Sequence, residues 1–309
     1  MKNEFDRSEL LRRVTEARAK DGNERVRTIT KRVVADLFKT IEEFEVKPVE
    51  FWAAMQWLSR LGASGQIGLI TAGLGFDRLL DILEDEADAR AGLAAGTPRA
   101  IEGPLYVPGA PQSEYEARLD NGKMPGSVYV MEGTVRDIEG NPLPGAVVDV
   151  WHANEKGAYS HFDPSQEPYN LRRRIVTDAQ GRYRFRSVLP PGYAIPPDSP
   201  TSELFDLLGR HGNRPAHIHF LVSAGGKRAL TTQVNIPGDT YIDDDFAFAT
   251  RDGLVVTLEE VPAQGGYESL GIDFAFTRIR FDFKLQPAAG EQDALHLGRY
   301  ERAVAPSAA

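Results

Sequence analysis

The residues of this 309-residue chain best placed to do chemistry are two histidines, set two positions apart in the string Arg214-Pro215-Ala216-His217-Ile218-His219-Phe220. Side chains on a β-strand alternate faces, so His217 and His219 project side by side while Ile218 and Phe220 point the other way. Two imidazoles on one rigid face are spaced to share a metal ion. Without a ligand, such a pair in a semi-buried place is awkward to satisfy. The local string leaves the rest of a coordination shell open. The chain has no cysteine, which removes zinc–thiolate sites, iron–sulfur clusters, thiol nucleophiles and disulfides together. A carboxylate from Asp243, Asp244 or Asp245 would complete a ferrous site, although three consecutive acids read more readily as a solvated loop. A tyrosine would suit ferric iron, because a phenol of reference pKa about 10 ionises near neutrality only beside a strong Lewis acid. With ten tyrosines in the chain, spacing gives no way to choose among them.

The bulk properties exclude several classes. A hydrophobic content of 41% with 26% charged residues describes an ordinary globular protein. The net charge of −9 argues against a protein that tracks nucleic-acid phosphates. No run approaches the roughly 18 apolar residues that span a bilayer, and the N-terminal residues lack an apolar signal core. The absence of cysteine fits a reducing compartment, so a cytoplasmic protein is expected.

The elements that must position the histidines change character along the chain. Residues 1–93 read as a helical domain. Ser8 is a candidate N-cap for a first short helix. Val26, Ile29, Val33, Leu37, Ile41 and Phe44 then form an apolar stripe at steps of three and four. Pro48 opens a third helix that Gly62 closes, and Ile67 to Leu83 carry a fourth. Residues 94–112, rich in Gly and Pro, form a connector. Beyond it, the alternating runs 127–136, 146–152, 182–188, 216–223, 228–236, 254–259 and 273–285 read as strands of an antiparallel β-sandwich spanning 113–287. The class is α+β, mainly β, with a tail over 288–309 that frays.

Longer strings now carry a resemblance. Asp149-Val-Trp-His-Ala-Asn-Glu-Lys-Gly-Ala-Tyr159-Ser, Tyr169-Asn-Leu-Arg-Arg-Arg174, Pro191-Gly-Tyr193-Ala-Ile-Pro-Pro197 and Gly209-Arg-His-Gly-Asn-Arg-Pro-Ala-His-Ile-His-Phe220 together resemble the intradiol ring-cleaving dioxygenases. The likeness runs from the N-terminal helices to about residue 285. It implies one non-haem ferric ion, Fe(III), per chain, held by Tyr159, Tyr193, His217 and His219, with catechol and O2 as substrates and a muconate as product in aromatic catabolism. By the same resemblance Tyr193 is a ligand that dissociates and takes a substrate proton. Arg214 stabilises charge on the ring, and Gln233 lies just behind the metal ligands. Leu69, Ala72, Ile101, Pro104 and Leu105 match positions that line the family's substrate cavity, though each is equally an ordinary core residue. The N-terminal helices match a homodimer interface with a tunnel that can hold a phospholipid. Nothing in the likeness brings in nucleic acid or a membrane span.

Two other readings compete. The runs Glu132–Val150 and Thr177–Phe185 also resemble non-enzymatic β-sandwich binding modules. Such modules need neither the histidine pair nor a helical layer, and they would be colourless where a tyrosinate–iron site is red. A hydroxyquinol or chlorocatechol dioxygenase could use the same scaffold, although Ile101-Glu-Gly-Pro-Leu-Tyr-Val looks more like the catechol-cleaving members. His152 and His161 flank Tyr159 in sequence and are read as structural.

Overall fold

The computed structural model describes residues 6–18, 20–122 and 125–299. It divides into two compact units at Ala63–Ser64. The first holds α1 (Arg7–Glu16), α2 (Glu24–Glu43) and nearly all of α3 (Pro48–Ser64). Asp6, rather than Ser8, caps α1: its Oδ1 accepts the Glu9 N–H at 2.8 Å. Asn23 caps α2 in the same way through the N–H of Val26. The ion pairs Arg7–Glu42 and Lys31–Glu16 tie α1 to α2. The apolar stripe of α2 is uncovered in the single chain, with Val26, Ile29, Val33 and Leu37 all about half exposed or more.

The second unit begins with helices as well. The stretch from Ile67 to Leu83, expected as one helix, is two: α4 (Ile67–Gly73) and α5 (Phe76–Arg90). Gly75 separates them at φ +79°, a left-handed conformation that a helix cannot pass through. Both belong with the sheets and not with the first three helices. Arg210 donates to the Gly73 carbonyl, and Arg99 bridges Glu84 and Asp88 on α5.

Thirteen strands follow: β1 (Gln112–Glu114), β2 (Glu116–Arg118), β3 (Val128–Asp137), β4 (Val147–Trp151), β5 (Arg172–Val176), β6 (Arg182–Val188), β7 (Tyr193–Ala194), β8 (Asn213–Arg214), β9 (His217–Ser223), β10 (Leu230–Asn235), β11 (Glu259–Val261), β12 (Phe276–Arg280) and β13 (Phe283–Leu285). A helix, α6 (Pro200–Leu207), separates β7 from β8, and a last turn, α7 (Glu291–Ala294), follows the strands. One sheet runs β1-β5-β4-β9-β10 and the other β11-β12-β3-β6-β2, with β13 also on β3 and β7 paired to β8.

The sheets are mixed, which corrects the antiparallel expectation. β1 on β5, β2 on β6, and β12 and β13 on β3 are all parallel pairs. Three of these are edge strands of three residues, too short to show a periodic pattern. The run 273–285 breaks into β12 and β13, both parallel to β3, around Phe281 and Asp282, where the Phe281 carbonyl oxygen packs so closely on Gly133 that a Cβ there would clash with it. Of 254–259, only an isolated bridge from Val255 to Asn235 forms before β11 begins. The tail docks as far as Arg299, and the rest of it lies outside the described residues.

Between the sheets lies the main core, with Val148, Val150, Phe185, Ile218, Phe220 and Phe283 all fully buried. Burying each such side chain stabilises the fold by roughly 1.5–3 kcal/mol. Phe220 packs 5.0 Å from Phe283 across the two sheets. The inward face of β9 is therefore spent on the core, and its other face is free for chemistry. Replacing Gly133 with Ala should lower stability by about 2 kcal/mol or more, because the clash is with backbone. Denaturant unfolding should show a reduced midpoint at unchanged slope.

Candidate metal centre and substrate pocket

Every residue of β9 is buried. Ile218, Phe220 and Val222 enter the inter-sheet core. His217 and His219 face the opposite side, each only 1% exposed, and their Nε2 atoms meet at 3.0 Å. Register places Asn235 and Gln233 of β10 beside them, and Trp151 of β4 beside His219.

Each ring is fixed by its surroundings. His217 Nδ1 lies 2.6 Å from the Pro215 carbonyl, which can only accept, so Nδ1 carries the proton and Nε2 presents a lone pair. The His219 ring stacks flat on Trp151, centroids 5.0 Å apart and planes within 4°. Its Nδ1 is buried with no hydrogen-bond partner among the described residues. Burial pushes the His217 imidazole down to about 3, with the Arg214 guanidinium adding to the effect. It drives His219 well below its ordinary range too, with the neighbouring His217 contributing. Both rings are neutral at physiological pH and available as ligands.

The two tyrosines come from separate places. Tyr193 lies on β7, directly opposite Arg214 on β8. Its hydroxyl is 3.3 Å from His217 Nε2 and 3.3 Å from the Tyr159 hydroxyl. Tyr159 ends the turn after β4 and is 3% exposed. Gly157 makes the approach possible: at φ +78°, a Cβ there would sit 2.6 Å from Tyr193 Cβ. Burial raises the Tyr159 phenol well above its usual value, and the adjacent Tyr193 raises it further. The phenol therefore stays protonated unless strong positive charge arrives beside it.

Four donor atoms thus crowd together at 3.0–3.3 Å spacings. Donors about 2 Å from one shared ion are themselves roughly 3 Å apart at angles near a right angle. The arrangement fits a metal ion, and the phenols favour a hard, highly charged one. Among the described residues, no group of three or more His, Asp or Glu forms an alternative cage.

The run of three acids has other duties. Asp245 makes a two-pronged pair with Arg214, Nε to Oδ1 and Nη2 to Oδ2, both 3.1 Å. It also accepts the N–H groups of Ala247 and Ala249. Asp244 pairs with His211. Burial alone would lower the Arg214 guanidinium, but the Asp245 carboxylate outweighs it and holds the charge in place. Arg214 is directed into the site, with Nη1 3.0 Å from His217 Nε2 and Nη2 donating to Gln233 Oε1 at 2.8 Å. Gln233 in turn donates to Asn235. His152 sits on the other side of β4, between the Ala153 carbonyl and Ser187 Oγ. His161 packs edge-on against Tyr169.

Above the donors is a cavity of about 210 Å³. Leu69, Ala72, Ile101, Pro104 and Leu105 all line it, along with Tyr159, Tyr193, Arg214 and His219. The size and the apolar walls suit a single small aromatic ring. Asp245 and Trp151 are functional neighbours that sequence reasoning passed over. Asp245 looked like one of three equivalent acids, and Trp151 carried no signal beyond its place in a motif.

A family described as "Dioxygenase" matches residues 101–287, and one described as "Catechol dioxygenase N terminus" matches residues 23–92. The chain belongs to the intradiol dioxygenase family. Catechol 1,2-dioxygenase 2 of Acinetobacter lwoffii is 57% identical over 81% of this chain and 91% of its own length. Catechol 1,2-dioxygenase of Acinetobacter baylyi is 49% identical over 92% of each. The solved structure of mercury-inhibited catechol 1,2-dioxygenase from Acinetobacter sp. ADP1 superposes with a TM-score of 0.89 at 47% identity, covering 96% of this chain and 97% of that one. Relatives named chlorocatechol 1,2-dioxygenase match at 31% and 35% identity, and one named hydroxyquinol 1,2-dioxygenase at 29%.

Asp245→Asn should leave the four donors intact but release Arg214. Leaving that buried charge uncompensated costs about 3 kcal/mol or more. A lower melting temperature, with metal content unchanged and kcat/KM reduced roughly 100-fold, is the expected result from calorimetry, metal analysis and steady-state kinetics.

Proposed function

We propose that this intradiol dioxygenase opens the ring of catechol between its two hydroxyl-bearing carbons, with O2, to give cis,cis-muconate. Its one non-haem ferric ion is held by Tyr159, Tyr193, His217 and His219. The observation that carries this reading is the convergence of two neutral imidazoles and two phenols at the floor of an apolar cavity the size of one aromatic ring. When bound, the ion supplies Lewis acidity that favours the doubly deprotonated substrate and leaves a ring carbon open to O2.

The chain's own residues do the rest. Leu69, Ile101, Pro104 and Leu105 receive the ring and exclude water from it. Arg214, oriented by Asp245 and Gln233, presents a fixed positive charge where negative charge builds on the ring. Tyr193, half-buried on a two-residue strand, would hold the ion as its phenolate and in that form accept one catechol proton at its phenolic oxygen, the other passing to water. Tyr159, deeper and fully enclosed, keeps its place. Gln233 sits behind the ligands and holds Arg214 rather than touching substrate.

Among substrates, the higher identity to the catechol enzymes supports catechol over chlorocatechol or hydroxyquinol. One ring substituent in an apolar pocket is worth only about 1–3 kcal/mol, so turnover of all three is the direct comparison. The exposed stripe of α2 supports a homodimer built through the N-terminal helices, and a phospholipid held there is part of the same reading. No helix among the described residues is long and apolar enough to cross a membrane, and the cysteine-free composition supports a cytoplasmic setting.

The purified, iron-loaded protein should be red and should convert catechol to a product absorbing in the ultraviolet. A yellow product would mean cleavage outside the two hydroxyls and would overturn the reading. Tyr193→Phe should weaken the visible charge-transfer band and cut turnover roughly 100-fold or more; full activity would remove Tyr193 from its role. In light scattering, the wild type should weigh about twice the 34.1 kDa chain, and Leu37→Glu should return it to one chain.

A further inference from the structure

The C-terminal segment docks at two points behind the cavity wall. At one, the Arg299 backbone N–H donates to Glu102 Oε2 at 2.6 Å, while the Arg299 side chain pairs with buried Asp81 of α5 at 2.8 Å. Gly298 passes so close that a Cβ would lie 2.7 Å from Glu102 Oε1 and 2.9 Å from the Tyr106 ring. At the other point, the His296 imidazole spans Ser223 of β9 and Asp149 of β4, with Nδ1 2.6 Å from Ser223 Oγ and Nε2 3.4 Å from Asp149 Oδ2. That same Asp149 oxygen accepts the Tyr106 hydroxyl at 3.1 Å. The Tyr106 ring lies 5.0 Å from Trp151, which stacks on His219. Asp293 fastens the start of the segment, its carbonyl accepting the Ala229 N–H and its carboxylate facing Arg228.

Glu102 and Tyr106 bracket Gly103, Pro104 and Leu105, which line the cavity. The segment thus holds both ends of one wall without itself lining the cavity. We propose that residues 291–299 form a strap, with His296 and Arg299 as positioning residues that set the Ile101–Tyr106 wall of the substrate pocket. The inference deepens the reading of that pocket as the catechol site and rests on it. Its consequence is specific: loosening the strap should weaken substrate binding and relax discrimination among substituted catechols, while the metal donors, on β9, on β7 and in the turn after β4, stay put.

Two iron-loaded variants test it, His296→Ala in the full-length chain and a chain shortened to end at Gly290. Each should raise the KM for catechol about tenfold, shift 4-chlorocatechol relative to catechol, and change kcat less than KM. Iron content and the visible band should match wild type. Amide hydrogen exchange should speed up in the peptide covering 101–106, a readout independent of turnover. A fall in melting temperature with unchanged KM, unchanged substrate ratio and unchanged exchange in that peptide would make the strap merely structural and overturn the inference. Should the truncated chain fail to fold, His296→Ala carries the test alone through the same exchange measurement. If wild type itself does not turn over catechol, the functional reading fails, whereas exchange at 101–106 still reports on the strap.

Discussion

Lone pairs from two imidazoles and the oxygens of two phenols, confined at 3.0–3.3 Å with one guanidinium at 3.0 Å, form an electron-rich cluster that competes for a few hydrogens and that one shared positive ion would engage at once. Burial sharpens the conflict, because low polarity strengthens every uncompensated interaction and removes the water that would relieve it. The surrounding fold can be understood as what is needed to hold these groups together against that cost. β9 is anchored by Ile218, Phe220 and Val222 in the main core, so the histidines cannot turn away. Trp151 fills the space behind His219, and the Pro215 carbonyl fixes the proton of His217.

The positive charge of Arg214 is under similar control. A guanidinium buried this completely is tolerated only with a matched acceptor, and Asp245 supplies one with both oxygens. The pair leaves Nη1 pointing inward. Charge that would be destabilising elsewhere becomes a preset field at the point where a reacting ring would gain electrons. Asp245 is held in turn by two backbone N–H groups of its own loop. The orientation of Arg214 therefore depends on a loop far from it in sequence.

This explains which parts could be seen in the sequence. The histidine pair shows up because alternation on a strand is local, and the stripe of α2 because helical periodicity is local too. Tyr159 and Tyr193 emerged from motif likeness only, since their meeting depends on a glycine turn at Gly157 and on a two-residue ribbon with no periodic signature. The parallel edge pairs were invisible for the same reason: strands of three residues carry no pattern, and their partners lie about sixty to 150 residues away. Asp245 could not be separated from Asp243 and Asp244, because only its long-range partner distinguishes it. The docking of residues 291–299 leaves no local mark in the sequence, because its anchors, Glu102, Asp149 and Ser223, are scattered through the chain.

The two tyrosines, chemically alike, are mounted differently. Tyr159 is enclosed in a cluster with Trp151 and Leu221, and the buried guanidinium of Arg172 lies 5.9 Å from its ring. Arg172 donates to Ser160 Oγ and to the Ser160 carbonyl and makes no carboxylate salt bridge among the described residues, so its field falls on Tyr159. Tyr193 instead faces Arg214, whose charge is already matched by the Asp245 carboxylate. It is half-buried on a ribbon of two residue pairs, at the edge of the cavity. A ligand that must release and return needs a mount that yields, while one that must stay needs packing on all sides and a nearby counter-charge. The fold gives each tyrosine one of these settings, which is the asymmetry that the proposed chemistry requires.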